Sequence, residues 1–168
     1  MAFTTTATGS TGVVSQTYNI DWSVGQLGPN AKADVMLVQA LLKIFYYELL
    51  GFNDGLDPPP GESAVIKVDG IKGPITQRHI THFQRQMAAR GKTMVQDGIF
   101  DPFRESGQKS TITKSSYALQ LLNNGCWFLC GKEGVNYYDN LPNREDMPLE
   151  LRSSLKVVKK KANKYMYQ

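Results

Sequence analysis

Two histidines and two cysteines are the residues whose types and spacing come nearest to a metal site or a nucleophile. His79 and His82 are three residues apart, a spacing that lets two imidazoles on one helix share a metal ion. Zinc needs at least one further ligand, and Cys126 and Cys130 lie far away in sequence. Because no local signature supports a mixed histidine–cysteine site or a cysteine–histidine amidase, we predict no metal, no cofactor and two buried free thiols.

The sequence also lacks the other residue patterns that are typical of enzyme active sites. A glycosidase needs two carboxylates at a defined separation, and no pair of acids is set apart from the others here. The sequence contains neither the Gly-x-Ser-x-Gly turn that presents a nucleophilic serine nor a Gly-Lys-Ser/Thr phosphate loop. We therefore expect a protein that is not an enzyme, and a cysteine–histidine hydrolase remains as a third hypothesis.

Composition and charge are those of a folded domain. The 168 residues are 41% hydrophobic and 20% charged, which excludes a disordered chain. No apolar stretch reaches the length of a membrane span. Much of the net charge of +4 comes from the lysines between 156 and 164. Because the remainder is nearly neutral, we do not expect a nucleic-acid partner.

Hydrophobic periodicity predicts two helices in the first half of the chain. One apolar stripe at helical spacing runs through residues 30–51 and consists of Val35, Val38, Leu41, Leu42, Phe45 and Leu49. Within this helix, Gln39 is expected to hydrogen-bond to buried backbone. Residues 74–90 form the second helix, with Pro74 at the first position, where a missing N–H is harmless. The prolines and glycines of 52–66 predict a loop between the two.

The second half of the chain is predicted to be helical as well. We expect a helix at 114–123, capped by Ser115 or Ser116; Asn123-Asn124-Gly125 favours a break there, and the alternative is a helix that continues toward Cys130. Another is expected at 148–162, where lysines near its end would complement the helix dipole. An alternative for this lysine-rich tail is contact with nucleic acid or an acidic surface.

The N-terminal residues 1–20 are rich in threonine, serine and glycine and lack helical periodicity. They predict an extended arm with room for a short strand at 12–20. The arm is either a flexible terminus or a segment that orders on a partner protein.

One sequence element occurs twice. Val68-Asp69-Gly70-Ile71-Lys72-Gly73-Pro74 recurs as Gln96-Asp97-Gly98-Ile99-Phe100-Asp101-Pro102. The shared pattern Asp-Gly-Ile-x-x-Pro predicts a tight turn before a helix, in which the aspartate bonds nearby backbone and the glycine takes a positive φ. The residues with a predicted structural role in these turns are Asp69, Gly70, Gly73, Pro74, Asp97, Gly98 and Pro102.

With their neighbours, the two turns resemble the peptidoglycan-binding-like domain family, a three-helix module of bacterial and phage cell-wall proteins. The family's first helix is matched by residues 34–42, its Val-Asp-Gly-x-x-Gly-Pro-x-Thr turn by 68–76, its Phe-Gln pair by 83–84 and its second turn by 97–102. The resemblance covers residues 24–103. This sequence departs from the family pattern in two places. The connection between the first helix and the first turn is longer than usual, and the second turn has Asp101 where the first turn has Gly73.

The resemblance implies both a fold and a function. The fold is mainly α: an N-terminal arm at 1–23, a three-helix peptidoglycan-binding-like bundle at 24–103 and a helical C-terminal extension at 104–168. In the family, the module is a non-catalytic anchor on peptidoglycan, whose hydroxyl, N-acetyl and carboxylate groups need hydrogen-bond donors in a shallow groove. The candidate ligand-binding residues are Lys72, Gln77, Arg78, His82 and Arg85. The alternative for each is an ordinary solvated helix face.

The N-terminus bears no signal-peptide pattern, so we expect synthesis in a cytoplasm and transport to the wall in a larger particle, such as a phage tail or contractile injection machine. The alternative is a structural or adaptor subunit of such an assembly that uses the fold for protein contacts. Exposed aromatics distinguish the two. Sugar binding requires them in one groove with Arg78, whereas flat patches beside an extended arm favour a protein interface. The aromatics in question are Tyr46, Tyr47, Trp127, Tyr137 and Tyr138.

Overall fold

The computed structural model describes residues 1–8, 12, 14–103, 109–110 and 113–160. Within these ranges the chain is mixed α/β with substantial helix, because two small antiparallel sheets accompany four α-helices. The predicted mainly α architecture, a three-helix bundle with an extended N-terminal arm, is not confirmed. No described helix is long and apolar enough to cross a membrane.

The first helix forms the centre of the core. Helix α1 spans Lys32–Lys43 and continues as a π-helical segment, Ile44–Glu48, so the predicted helix at 30–51 is confirmed with shorter ends. Its apolar stripe is buried, and so is every residue from Ala33 to Leu42. The helix is covered all round because two later helices, α3 (Ala118–Glu133) and α4 (Leu149–Leu155), and a short strand contact it in addition to the first turn.

The N-terminal residues fold into the body of the protein. Strands β1 (Phe3–Thr8) and β2 (Val14–Asn19) form an antiparallel hairpin. Ala2, Phe3 and Tyr18 are fully buried. The predicted short strand at 12–20 is confirmed by β2, whereas a flexible terminus is wrong for the described residues because Ala2, Phe3 and Tyr18 are buried. Contact with a partner protein through this segment stays a prediction. Threonine, tyrosine and valine fit a half-buried pleated surface, which explains why this segment forms strands.

Helix α3 (Ala118–Glu133) is longer than predicted, and the expected break at 123–125 is wrong. The Asn123 side chain accepts a hydrogen bond from the Tyr18 N–H at 3.0 Å and donates to the Tyr18 carbonyl at 2.9 Å. Asn123 therefore joins α3 to the hairpin and leaves the helix backbone intact. A Cβ at Gly125 would lie 3.0 Å from the Phe45 ring, so this glycine permits the close packing of α3 on the π-helical segment.

The chain after α4 runs beside the hairpin. Helix α4 spans Leu149–Leu155, so the predicted helix at 148–162 is too long. The Thr4 N–H donates to the Val157 carbonyl at 2.9 Å, and Lys159 Nζ lies 2.8 Å from an Asp21 carboxylate oxygen. The backbone of the described tail is therefore tied to β1, and Lys159 is held by Asp21, whereas Lys156 and Lys160 are exposed. Residues 161–168 lie outside the described residues.

The remaining elements surround the two Asp-Gly-Ile turns. Helix α2 spans Pro74–Ala89, which confirms the prediction of a helix at 74–90. Strand β3 (Val24–Gly25) pairs antiparallel with β4 (Ile99–Phe100), which belongs to the second turn. A 3₁₀ turn, Leu141–Asn143, precedes α4.

Candidate functional site

The first Asp-Gly-Ile turn is held by a glutamine of α1. Gln39 Nε2 donates to Asp69 Oδ1 at 2.9 Å and to the Ile71 carbonyl at 3.1 Å, while Gln39 Oε1 accepts the Gly70 N–H at 2.9 Å. Asp69 Oδ1 also accepts the Ile71 N–H at 2.9 Å. The predicted roles of Asp69 in the turn and of Gln39 as a partner of backbone are confirmed.

The second turn repeats this arrangement with a glutamine of α2. Gln84 Nε2 donates to the Ile99 carbonyl at 2.8 Å and to Asp97 Oδ1 at 3.3 Å, and its Oε1 accepts the Gly98 N–H at 2.8 Å. Both turn glycines have positive φ, 77° at Gly70 and 73° at Gly98. Sequence reasoning matched Gln84 only to a family pattern. A buried glutamine on the helix before each turn is the signal that would have shown its role.

The first turn starts α2 as predicted, whereas the second does not start a helix within its described residues. Gly73 is the N-cap of α2 and Pro74 its first residue. After Phe100, residues 101–103 are irregular, and Pro102 is buried among them. The predicted helix-opening role of Pro102 is therefore not observed in the described part of the chain.

An open groove of about 270 Å³ lies between α2 and the proline loop. The groove is lined by Pro59, Pro60, Gln77, Arg78, Thr81, His82 and Arg85. Four of the five predicted ligand-binding residues thus share one surface. The fifth, Lys72, is not among the lining residues.

Three of these four side chains also have partners within the protein. Arg78 Nε donates to Glu62 Oε1 at 2.5 Å, and a ring nitrogen of His82 lies 2.9 Å from the Asp57 carbonyl. Both contacts dock the loop on α2, so they shape the groove as well as line it. Gln77 Nε2 bonds the Gly98 carbonyl at 3.0 Å. Arg85 forms no hydrogen bond or ion pair with the described residues, and its guanidinium is exposed.

The two histidines do not form one site. His79 is fully buried, with Nε2 2.7 Å from the Tyr47 hydroxyl and Nδ1 2.8 Å from the Ile75 carbonyl. Burial lowers the pKa of His79, so its imidazole is neutral at physiological pH. His82 instead faces the groove. Among the described residues, no three histidine, cysteine or acidic side chains are grouped so that they could hold a metal.

The cysteines are inert in their surroundings. Cys126 is fully buried, and its Sγ lies 3.4 Å from the Leu41 carbonyl. Burial raises the pKa of Cys126 and of Cys130, which disfavours the reactive thiolate. Neither thiol contacts a histidine in the described ranges. The cysteine–histidine pair that the hydrolase hypothesis needs is not present there.

The aromatic side chains do not gather around Arg78. Tyr46 and Tyr138 are buried, and Tyr47 packs on His79 with ring centroids 5.8 Å apart. Trp127 and Phe128 are consecutive residues of α3, 49% and 62% exposed. The protein thus has an aromatic patch on α3 and a groove on α2 without an aromatic wall.

Comparison with known proteins finds no match for this chain among family models, curated proteins or solved structures. The function is therefore argued from the groove and its surroundings.

Proposed function

We propose that the chain is a non-catalytic module that binds bacterial cell-wall peptidoglycan and is carried in a larger particle, such as a phage tail or contractile injection machine. The observation that carries this proposal is that Gln77, Arg78, His82 and Arg85 line one open groove. These side chains are the donors that the resemblance predicts on the exposed face of the second helix.

The chemistry of the groove favours an acidic ligand. Arg85 is free of partners among the described residues, and Arg78 uses only its Nε for Glu62. Their remaining N–H groups suit the carboxylates of peptidoglycan stem peptides, which arginine binds in a planar, bidentate way. Pro59 and Pro60 supply an apolar surface opposite them. Because no phenylalanine, tyrosine or tryptophan is among the described residues that line the groove, we expect ionic recognition that weakens as salt rises.

The test is co-sedimentation with purified insoluble sacculi at about 0.15 M salt, where weak surface charge is largely screened. We expect saturable pelleting of the intact chain with sacculi and none with chitin, which lacks stem peptides. An Arg78→Ala, Arg85→Ala variant should lose at least about tenfold in affinity, because each arginine forms charge-assisted bonds.

A matched control removes the same charge elsewhere. Lys92 and Lys132 are exposed and do not line the groove. A Lys92→Ala, Lys132→Ala variant should pellet like the unmodified chain. Equal loss in both double variants would mean non-specific attraction to an acidic polymer, and no pelleting of the folded unmodified protein would overturn the proposal.

The second candidate function is a structural or adaptor subunit, and the Trp127–Phe128 patch favours it. Large aromatic side chains exposed to solvent are enriched at protein interfaces. A photoreactive phenylalanine analogue at position 128 should then cross-link to one defined neighbour in the assembled particle. The same analogue at Leu149, which is 67% exposed, serves as the control. Cross-linking that is equally diffuse at both positions would remove this candidate.

A further inference from the structure

The basic side chains of the groove lie in a row along one face of α2. Arg78, His82 and Arg85 are four and three residues apart, a spacing that puts neighbours on the same side of a helix. All three line the groove. Because an α-helix rises about 1.5 Å per residue, the two arginines are anchored about 10 Å apart along the helix axis. The groove therefore offers two separate guanidinium groups instead of one cluster.

Both guanidinium groups keep donors for a ligand. Arg78 donates from Nε to Glu62, and its two Nη groups form no hydrogen bond with the described residues. Arg85 has no hydrogen-bond or ion-pair partner among those residues. Each arginine can thus hold one carboxylate through two parallel N–H groups. No acidic side chain is among the described residues that line the groove, so none competes for these donors there.

The opposite wall of the groove is apolar and held in place. Pro59 and Pro60 line the groove on the side of the loop. The loop is fastened to α2 because the Asp57 carbonyl lies 2.9 Å from a ring nitrogen of His82 and accepts a hydrogen bond from Gln86 Nε2 at 3.1 Å. A ligand with an acid at each end and an uncharged chain between them matches this combination of two cations and an apolar wall.

We propose that the groove binds its ligand through two carboxylates about 10 Å apart, one on Arg78 and the other on Arg85. The chain between the two acids lies against Pro59 and Pro60. A ligand with a single carboxylate leaves one of the two guanidinium groups unmatched, and an uncharged glycan strand leaves both unmatched.

The identity of the two acids in the cell wall rests on the function proposed above. One is the free α-carboxylate of D-glutamate in a stem peptide. The other is a second free acid of the same peptide, either at the end of a diaminopimelate side chain or at the peptide terminus. About ten covalent bonds separate the acids in either case, and an extended chain of that length spans about 12 Å, which is enough to reach both arginines.

The test is an NMR titration of the full chain with linear dicarboxylates of increasing length, from butanedioate to dodecanedioate. We expect the Kd to reach a minimum near decanedioate, at least about tenfold below that of butanedioate, because a linker of matching length makes the second contact intramolecular. The monoamide of decanedioate has the same length and one charge fewer. It should bind at least about tenfold more weakly, which separates the second acid from the apolar chain.

A matched pair of variants tests the location. Arg85→Gln removes one charge from the groove, and Lys92→Gln removes one from an exposed position that does not line it. With Arg85→Gln, decanedioate should bind no more tightly than butanedioate. With Lys92→Gln, the minimum near decanedioate should persist. A general loss of positive charge would weaken all dicarboxylates alike and would not remove the preference for one length.

Sacculi of two chemotypes then distinguish the sources of the second acid. Preferential pelleting with sacculi whose stem peptides contain diaminopimelate, over sacculi that contain lysine at that position, assigns the second acid to the diaminopimelate side chain. Equal pelleting, together with the length minimum, assigns it to the peptide terminus.

Three outcomes would overturn the proposal: no binding by any dicarboxylate, a Kd that does not depend on length, or a length preference that survives Arg85→Gln. Pelleting with sacculi without a length preference would remove this inference and leave the function proposed for the module. A length preference without pelleting would support the site for two acids and remove peptidoglycan as its ligand.

Discussion

The two Asp-Gly-Ile turns have the same internal hydrogen bonds but different surroundings. In each, the aspartate accepts the isoleucine N–H and a glutamine bonds the glycine N–H. The first turn leads into α2 and leaves Ile71 exposed, whereas the second leads into β4, whose Phe100 is fully buried. The repeated sequence therefore specifies the turn and does not specify what the turn contacts.

The residues after each turn account for the difference. Gly73 has no side chain to engage a neighbour, and Pro74 starts the helix. In the second turn, Asp101 accepts a hydrogen bond from the Ser23 hydroxyl at 2.6 Å, and the Asn19 side chain bonds both the N–H and the carbonyl of Phe103. The second turn is thus tied to the N-terminal region, whereas Ile71 of the first turn is exposed at the surface.

We expect the largest effect from a substitution that disrupts the β3–β4 sheet, which holds the second turn. Gly25 has a φ of 131°, and a Cβ there would lie 2.1 Å from the Gly98 carbonyl oxygen. Gly25→Ala should therefore lower the free energy of unfolding by about 4 kcal/mol, since strain and a backbone clash combine. Urea unfolding measures this change. The control is Gly73→Ala, where a Cβ meets nothing within 4 Å, and similar losses in both would contradict the interpretation.

The next prediction compares the two glutamines. Gln39→Met should cost about 3 kcal/mol and Gln84→Met about 2 kcal/mol, because methionine fills the space but leaves buried polar groups without partners. The first loss is larger because Gln39 also bonds the Thr76 hydroxyl at 3.0 Å and the Asp69 N–H at 3.0 Å. Urea unfolding with the exposed Gln96→Met as control gives the ranking. The reverse order would show that the second turn is the more dependent on its glutamine.

We expect the free energy of unfolding to depend on pH through Asp34, which lies near β3, the strand that pairs with the second turn. Asp34 is fully buried, and its Oδ2 accepts the Trp22 N–H at 3.0 Å just before β3. Burial raises the pKa of Asp34 from 3.8 to about 6, although the nearby Met1 α-amine lowers it. The folded state then binds the proton more tightly than the unfolded state. The stability contribution of this group falls as pH rises from about 4 to 6, by up to about 3 kcal/mol.

Asp34→Asn isolates this contribution. The difference in unfolding free energy between the unmodified chain and the variant should change across that pH window and stay constant above about pH 7. Urea unfolding at a series of pH values measures it. Parallel curves for the two proteins would show that Asp34 does not titrate there.

We expect the smallest effect from placing an aspartate at position 73 of the first turn, which corresponds to Asp101 in the second turn. Gly73 is the N-cap of α2 and forms no side-chain cap bond. Gly73→Asp should stabilise the protein by about 0.5 kcal/mol, because a carboxylate at this position accepts a helix N–H and faces the positive end of the dipole. Thermal unfolding against Gly73→Ala checks the sign. A loss of stability would indicate that the acid disturbs the neighbouring turn.

Local sequence patterns predicted the parts of the fold that depend on local contacts. Pro74 and the periodicity after it predicted α2, and the Asp-Gly-Ile pattern predicted both turns. The face of α2 predicted from the resemblance also supplied four groove residues, because residues on one helix face stay together whatever packs around them. Lys72 fell outside the groove because it precedes the helix.

Long-range contacts account for the parts that were missed. The pairing of residues 3–8 with 14–19, and their hydrogen bonds to α3 and to the C-terminal segment more than a hundred residues away, were not predicted. Asn123 carries a helix-breaking signal that its bond to Tyr18 overrides. A single sequence does not encode such distant pairings in its local patterns.

The sequence by itself determined the turns, the start of α2 and the donors on its exposed face, because backbone geometry and helical periodicity depend on residues close together in the chain. Tertiary structure decided the rest. It buried His79 and docked the proline loop on Arg78 and His82. Those outcomes depend on which surfaces meet when the chain closes on itself, and that is a property of the whole fold.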